Sequence, residues 1–324
     1  QRMGPHHRGR HDSQGAINRS KFGDLSIAMT PVTVNLADAS AVVDVLDAAA
    51  EVLLSNADRR GSSQHLPGSG RVLVTGDLHD NPFHFQKIIH LARLDERTDR
   101  HLVLQELIHG DRLVDGVDLS HRMLGNVAAM VAAFPGQVHP MLANHELAQA
   151  TGKSVSKGRG DSVRMFIDGV DWAFGDRGDD VLEAITRFIL AMPLAVRSEG
   201  GLCCSHSLPA AGMMHVFDNT IVDRPLEPAD LQGNDGSAYL MTWGRQHTED
   251  QLASIADHWG VRLFCIGHAW VKDGIDAPMK NMVRLNSDHE RGAVLPIDLS
   301  NIPTVDDALS AVIRLSALPE AFGE

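Results

Sequence analysis

Four short apolar runs in this chain each lead into residues suited to holding a metal ion. Asp77 and His79 follow Val72-Leu73-Val74 in the tetrad Gly76-Asp77-Leu78-His79. Asn144 and His145 follow residues 138–142 in Ala143-Asn144-His145-Glu146; His206 follows 202–205, and His268 follows 263–266 through Gly267. Phosphoester hydrolysis is the chemistry this pattern suits. It is slow because a weak nucleophile must attack an anion, and two divalent cations about 3.5–4 Å apart neutralise that charge and acidify a shared water. Such a site needs a bridging carboxylate, several imidazoles, further oxygen donors and an acid for the departing alcohol. Asp77, His79, Asn144, His206 and His268 supply that set from four strand ends. One histidine at a strand end is usually structural; five such residues in this order outweigh that reading.

The remaining sequence must position those ends. Residues 1–35 are irregular, and the cluster His6, His7 and His11 reads as a solvated tail. Residues 38–54 have the periodicity of an amphipathic helix, and 58–70 read as a polar linker. Strands are expected at 72–75, 101–107, 138–142, 202–205 and 263–266, with helices at 82–94, 119–134, 179–192 and 249–259. Residues 151–180 read as a surface excursion and 209–247 as loop-rich. A strand pair, 283–285 with 293–299, closes the domain, and Thr304 caps a last helix over 305–315. Alternating strands and helices imply an α/β sandwich with its working loops at the strand C-termini. The expected organisation is an N-terminal extension over 1–70, a catalytic domain over 71–300 and a C-terminal helix over 301–324.

A net charge of -13 over 324 residues argues against a nucleic-acid polymer or an anionic membrane as partner. An acidic protein acting on anions must borrow positive charge, which bound cations supply. Cys203, Cys204 and Cys265 sit in apolar runs, so reduced, buried thiols in a cytoplasmic compartment are expected.

The motifs resemble the calcineurin-like metallophosphoesterases, and more narrowly the branch of Ser/Thr phosphatases and symmetrical diadenosine tetraphosphatases. Gly76-Asp77-Leu78-His79 resembles that family's first motif, Gly-Asp-x-His-Gly, with Asp80 in place of the last Gly. Ala143-Asn144-His145-Glu146 resembles Gly-Asn-His-Glu. Residues 192–209, through Ser205-His206-Ser207-Leu208, resemble the approach to the fourth motif, and Gly267-His268 through Asp273-Gly274 the final one. The likeness spans residues 71–299. It implies a four-layer αββα sandwich holding two divalent ions (Mn, Fe or Zn) and a phosphorylated substrate, whether phosphoprotein, nucleotide or small phosphoester. By the same resemblance Asp77, His79 and His268 bind one metal, with Asp77 bridging, and Asn144 and His206 serve the other. A metal-bound hydroxide attacks, and His145 acts as general acid.

The second motif departs. Where the family has Gly-Asp-x-x-Asp-Arg-Gly, this chain has Gln105-Glu106-Leu107-Ile108-His109-Gly110. Glu106 falls where a bridging Asp belongs, and His109 where an Asp orients the catalytic His. Asp111 and Arg112, just beyond, are candidates to restore the acidic partner and the phosphate-binding Arg after a loop shift. Arg245 is a second candidate phosphate clamp, and Glu146 a candidate to hold the loop. Ser207 and Leu208 stand where the family has two glycines. The alternative class is a catalytically weakened or inactive metal-stabilised binding protein, kept open by Gln105, Glu106 and His109.

Overall fold

The structure, a computed structural model, describes residues 34–155 and 160–319; the His6, His7 and His11 cluster lies outside them. Among the described residues the chain runs α1 (Ala39–Ser55), β1 (Arg59–Arg60), β2 (Ser63–Leu66), β3 (Arg71–Asp77), α2 (Pro82–Ala92) and β4 (Arg100–Gln105). It continues with β5 (Leu113–Val114), β6 (Val117–Asp118), α3 (His121–Ala133), β7 (Val138–Pro140), α4 (Asn144–Thr151), α5 (Ser162–Phe174) and α6 (Gly178–Ala191). Then follow β8 (Ala195–Ser198), β9 (Leu202–Ser205), α7 (Ser237–Trp243), α8 (Glu249–Trp259) and β10 (Leu263–Ile266). The last elements are β11 (Ile275–Met279), β12 (Met282–Leu285), β13 (Ala293–Asp298), α9 (Val305–Ala311) and β14 (Ile313–Arg314).

Two sheets form the centre. One has the order β1-β2-β8-β9-β10-β12-β11 and the other β14-β13-β3-β4-β7, with β5 and β6 as a separate ribbon. Their facing sides make a core that includes Val72, Val74, Val103, Leu202, Leu263 and Leu295. Leu73, between Val72 and Val74, turns the other way and belongs to the cluster that holds Leu46, Ile88, Val127, Phe188 and Ile255 of the helices. A strand buried on both faces reads as an unbroken apolar run, which is why 72–75 and 263–266 were legible. Helices outside and sheets inside give the αββα sandwich that the resemblance implied. No helix among the described residues is long and apolar enough to cross a membrane.

Several expectations need correction. The polar stretch 58–70 is not merely a linker, since β2 within it pairs in parallel with β8. Ser62 and Ser63 tolerate burial because their hydroxyls donate to the carbonyls of Ile221 and Val222, each at 2.6 Å; composition alone cannot show such partners. The surface excursion 151–180 contains α5, whose Phe166 and Val170 are fully buried. The expected closing pair separates: β12 joins β10 and β11 in one sheet, while β13 joins β3 and β14 in the other. Thr304 caps α9 as expected, but the helix stops at Ala311 and Ile313–Arg314 turns into β14.

The two sheets are tied at one end. An isolated parallel bridge joins Asp77, at the end of β3, to Asn286, just past β12. Beside it the Ser287 hydroxyl accepts from the Gly76 amide at 2.9 Å and donates to the Ala293 carbonyl at 2.7 Å, while the Ser287 amide donates to the Asp77 carbonyl at 3.0 Å. Ser287 is fully buried, so its loss strands a donor and an acceptor away from water. Ser287→Ala is expected to lower unfolding free energy by about 2 kcal/mol, read from urea denaturation; a change below about 0.5 kcal/mol would show that the bridge does not hold the sheets together.

Candidate active site

Each expected ligand sits at or just beyond the C-terminal end of a strand: Asp77 on β3, Glu106 after β4, Asn144 after β7, His206 after β9 and His268 after β10. Ligand atoms of Asp77, His79 and Glu106 lie within 4.8 Å of one another. His79 Nε2 is 3.3 Å from Glu106 Oε2, and His206 Nε2 is 3.7 Å from the same oxygen. Asn144 Oδ1 lies 2.6 Å from His206 Nε2 and 3.1 Å from His268 Nδ1. The His268 amide donates to Asp77 Oδ1 at 3.0 Å. Gly267 permits that approach, because a Cβ there would run into the Asp77 carboxylate.

Backbone strain concentrates here. His79, Asp80, Glu106, His109 and His268 all hold positive φ, between 44° and 62°. Such non-glycine residues cost roughly 1–3 kcal/mol each and persist where surrounding contacts over-determine them. Ser207 and Leu208, by contrast, are not among the positive-φ residues, so that turn functions without the family's two glycines.

The tautomers bear on what the cluster can hold. His79 Nδ1 faces the Ile108 carbonyl at 3.1 Å, which only accepts, so Nδ1 carries the proton and Nε2 turns a lone pair toward Glu106. Gln105 donates its amide to the Thr75 carbonyl at 2.7 Å and turns its oxygen to His206 Nδ1 at 3.3 Å. With its proton on Nδ1, His206 Nε2, beside Asn144 Oδ1 and Glu106 Oε2, would offer its lone pair to a cation held among them. Two carboxylates, an amide oxygen and two imidazole lone pairs thus converge, with Asp77 and Glu106 only 4% and 3% exposed. Buried acceptors facing acceptors are unfavourable unless a cation lies among them. The donor set fits divalent metal of the N/O-preferring kind, and the Gln105 and Ile108 contacts orient ligand rings from behind.

Near this cluster, His145 Nε2 is 3.4 Å from Glu106 Oε1, and its Nδ1 is 3.0 Å from His109 Nδ1. His109 Nε2 in turn lies 3.1 Å from Gln149 Oε1. The position beside His145 thus belongs to His109, whereas Asp111 is exposed and lines a surface cavity of about 260 Å³ with His79 and Arg112. The loop shift expected to bring Asp111 to His145 is replaced by an imidazole pair. Arg112 lines the same cavity and donates to Asp80 Oδ2 at 3.0 Å. Arg245 is exposed, two residues after Trp243, whose ring stacks on Tyr239 and meets His268 edge-on at 6.0 Å.

Glu146 holds the second loop: its Oε1 accepts from the Leu107 and Ile108 amides at 2.7 and 3.2 Å, while burial pushes its carboxyl up to about 7. Asp80, Gln105 and Gln149 were not assigned roles from sequence. Gln149 had a signal, since it lies four residues after His145 and shares its helix face. Cys203, Cys204 and Cys265 are free and buried, and burial pushes the Cys203 thiol up to about 12, as expected of inert core thiols.

Strand ends presenting carboxylates and imidazoles around a metal-suited cluster, in an αββα sandwich, define a metallophosphoesterase. The sequence matches the calcineurin-like phosphoesterase family over residues 70–271, and the chain belongs to that family. It is a hydrolase of phosphoric esters. Two solved structures share the fold: a protein serine/threonine phosphatase from Saccharomyces cerevisiae with similarity to a human phosphatase, and a cold-active protein-tyrosine phosphatase of a psychrophilic Shewanella species. The first is 12% identical, with a TM-score of 0.58, over 80% of this chain and 82% of that one. The second is 13% identical, with a TM-score of 0.51, over 78% and 81%. A search of curated proteins gives no match.

Behind the site, Asp118 Oδ1 accepts from the Ser120 amide at 2.8 Å, and the Ser120 hydroxyl accepts from the His109 amide at 3.1 Å. Burial raises the Asp118 carboxyl from 3.8 to about 6. The folded state therefore keeps a proton that the unfolded chain has released, so stability falls as pH rises from about 4 to about 6 and the penalty is complete above that. Asp118→Asn keeps an acceptor for Ser120 and removes this titration. The variant should gain on the parent by up to about 3 kcal/mol between pH 4 and pH 7, measured by denaturation at each pH; a pH-independent difference would show that Asp118 titrates normally.

Proposed function

We propose that this protein hydrolyses phosphate esters with two divalent ions held by Asp77, His79, Glu106, Asn144, His206 and His268, and with His145 as general acid. The observation that carries this reading is the convergence of buried lone-pair donors on one point, with the His145 imidazole on its edge. When bound, the two ions would neutralise phosphoryl oxygens and lower the pKa of water. The residues do the rest. Asp77 and Glu106 supply the negative charge that retains the ions, and Glu106, reaching both His79 and His206, is placed to bridge. Glu in place of Asp lengthens that bridge by one methylene.

His145 protonates the departing oxygen through Nε2. To do so it needs its Nδ1 proton held, and His109 accepts it only if His109 is protonated at Nε2. Gln149 enforces that tautomer, because its oxygen accepts from His109 Nε2. The unit is thus a neutral relay, Gln149 to His109 to His145, in place of a carboxylate and a histidine. A neutral partner stabilises the imidazolium less than an anion does, so the alkaline limb of the rate profile, where the acid loses its proton, lies at lower pH than a carboxylate would set.

The substrate is a phosphorylated molecule, and the likeness in motifs favours the phosphoprotein phosphatase branch. Arg112 and Arg245 are candidate cations for its phosphate, in a chain whose net charge of -13 otherwise repels it.

The first test is turnover of p-nitrophenyl phosphate by metal-stripped protein titrated with Mn²⁺. Activity should appear with metal and saturate at two ions per chain, and His145→Ala should lower kcat by about 10²-fold or more. Two metals bound without turnover would instead identify a metal-stabilised binding protein. Gln149→Leu, which frees His109 to adopt the other tautomer, should reduce kcat by about tenfold and leave metal stoichiometry at two; an unchanged pH–rate profile in that variant would remove Gln149 from the relay.

A further inference from the structure

The family arginine cannot stand where the motif would put it. Aligned on Glu106, that position is Gly110, and a Cβ at Gly110 would run into the His79 carbonyl. The nearest arginine is Arg112, two residues on, on an exposed loop. A long side chain there has many rotamers, and a phosphate would have to order it at an entropic penalty. We propose that Asp80 is the positioning residue that orders Arg112 in advance, so that the pair replaces the missing arginine as the grip on the substrate phosphate. The inference rests on the reading of this site as a phosphoesterase.

Three observations support it. Asp80 occupies the last position of the first motif, where the resemblance expects glycine, and its φ of 53° is a conformation glycine adopts freely and aspartate with strain. An acidic side chain kept at a glycine-favouring position needs a compensating contact. That contact is the ion pair: Asp80 Oδ2 accepts from Arg112 Nη2 at 3.0 Å, with the Asp80 side chain 4% exposed and that of Arg112 47%. One end of the pair is therefore anchored and desolvated, and the other is open. A guanidinium carries five N–H donors in a fixed fork, so a single bond to Asp80 leaves the remainder for a ligand. Finally, Arg112, Asp80 and His79 line one cavity of about 260 Å³ together with Asn81, Pro82, Phe83, Asp111 and Asp288, so Arg112 is the cation in a lining that otherwise holds carboxylates, and ordering it decides whether a phosphate can enter. His79 joins that cavity to the candidate metal cluster. A phosphate held by the cluster and reaching into this cavity meets Arg112 bidentately, the geometry arginine provides and lysine does not.

A surface ion pair that merely pins the loop would have the same distance but no influence on phosphate. The test separates the two. Asp80→Gly, Asp80→Asn, Arg112→Ala and the double variant Asp80→Asn with Arg112→Ala are compared with the parent, all loaded with Mn²⁺. Two readouts are taken: KM and kcat for p-nitrophenyl phosphate, and the concentration of inorganic phosphate that half-saturates the rise in Tm. Arg112→Ala should raise both KM and the phosphate midpoint by about tenfold, the loss of one charge-assisted contact. Asp80→Asn and Asp80→Gly should raise them by about three- to tenfold, with kcat changed less than KM. In the Arg112→Ala background Asp80→Asn should add nothing, because the residue acts only through Arg112. Asp80→Gly relieves the backbone strain, so it keeps the test valid if the other variants fold poorly. The inference is overturned if Asp80→Gly leaves KM and the phosphate midpoint within twofold of the parent, or if the Asp80 effect persists in full without Arg112. A parent protein that binds phosphate but turns over no ester would sink the phosphoesterase reading while leaving this comparison intact; a parent that binds no phosphate would sink the grip itself.

Discussion

The constraint on which the rest depends is electrostatic. Asp77 and Glu106 are buried together at the end where two sheets meet, with imidazole lone pairs and an amide oxygen turned inward on them. Left to themselves these groups would shed charge or swing out to water. They stay because each is fixed from behind: Gln105 holds His206, the Ile108 carbonyl holds His79, and the Gly267–His268 backbone holds Asp77. A site that keeps so much negative potential in place is built around cations, and much of the nearby architecture serves to hold it.

That architecture explains where the strain lies. Strands buried on both faces end abruptly, and the residues after them turn sharply to aim side chains at a common point. Five of those turning residues carry positive φ. The loops are secured by contacts from other elements rather than by their own propensity. Glu146 on α4 accepts from the loop after β4, Ser287 bridges β3 to the segment before β13, and Asp118 and Ser120 support His109 from the β6–α3 corner. Preorganisation of this kind matters for catalysis, because groups already in place need no reorganisation as charge develops.

The departures from the family pattern form a coherent set. Where the resemblance expects an anionic partner for the His145 ring, His109 stands instead, with its Nε2 3.1 Å from Gln149 Oε1. Where an arginine is expected, Gly110 leaves no room, and Asp80 engages Arg112 from the neighbouring loop. Two glycines of the fourth motif are dispensable because Ser207 and Leu208 do not hold positive φ. Changes that look like decay when read one motif at a time are linked across loops.

Much of this was legible in the sequence. Asp77, His79, Asn144, His206 and His268 stood out because each followed a doubly buried strand, whose apolar run marks where the chain must emerge. Periodicity also located the main helices, and Thr304 announced the cap of the last one. The reading failed where polar residues were buried with partners distant in the chain, as with Ser62 and Ser63 of the supposed linker, paired across 159 residues. It failed again where adjacent strands parted into different sheets, because no local pattern encodes which sheet β13 joins. The contact of His109 with His145 joins residues 36 apart in sequence, so no local pattern announced it either. Residue types and spacing determined the class of chemistry and the candidate ligands, since those depend on strand ends and side-chain donors. Which imidazole faces His145, and which carboxylate holds Arg112, depended on distances of about 3 Å between loops far apart in sequence, and only folding sets those.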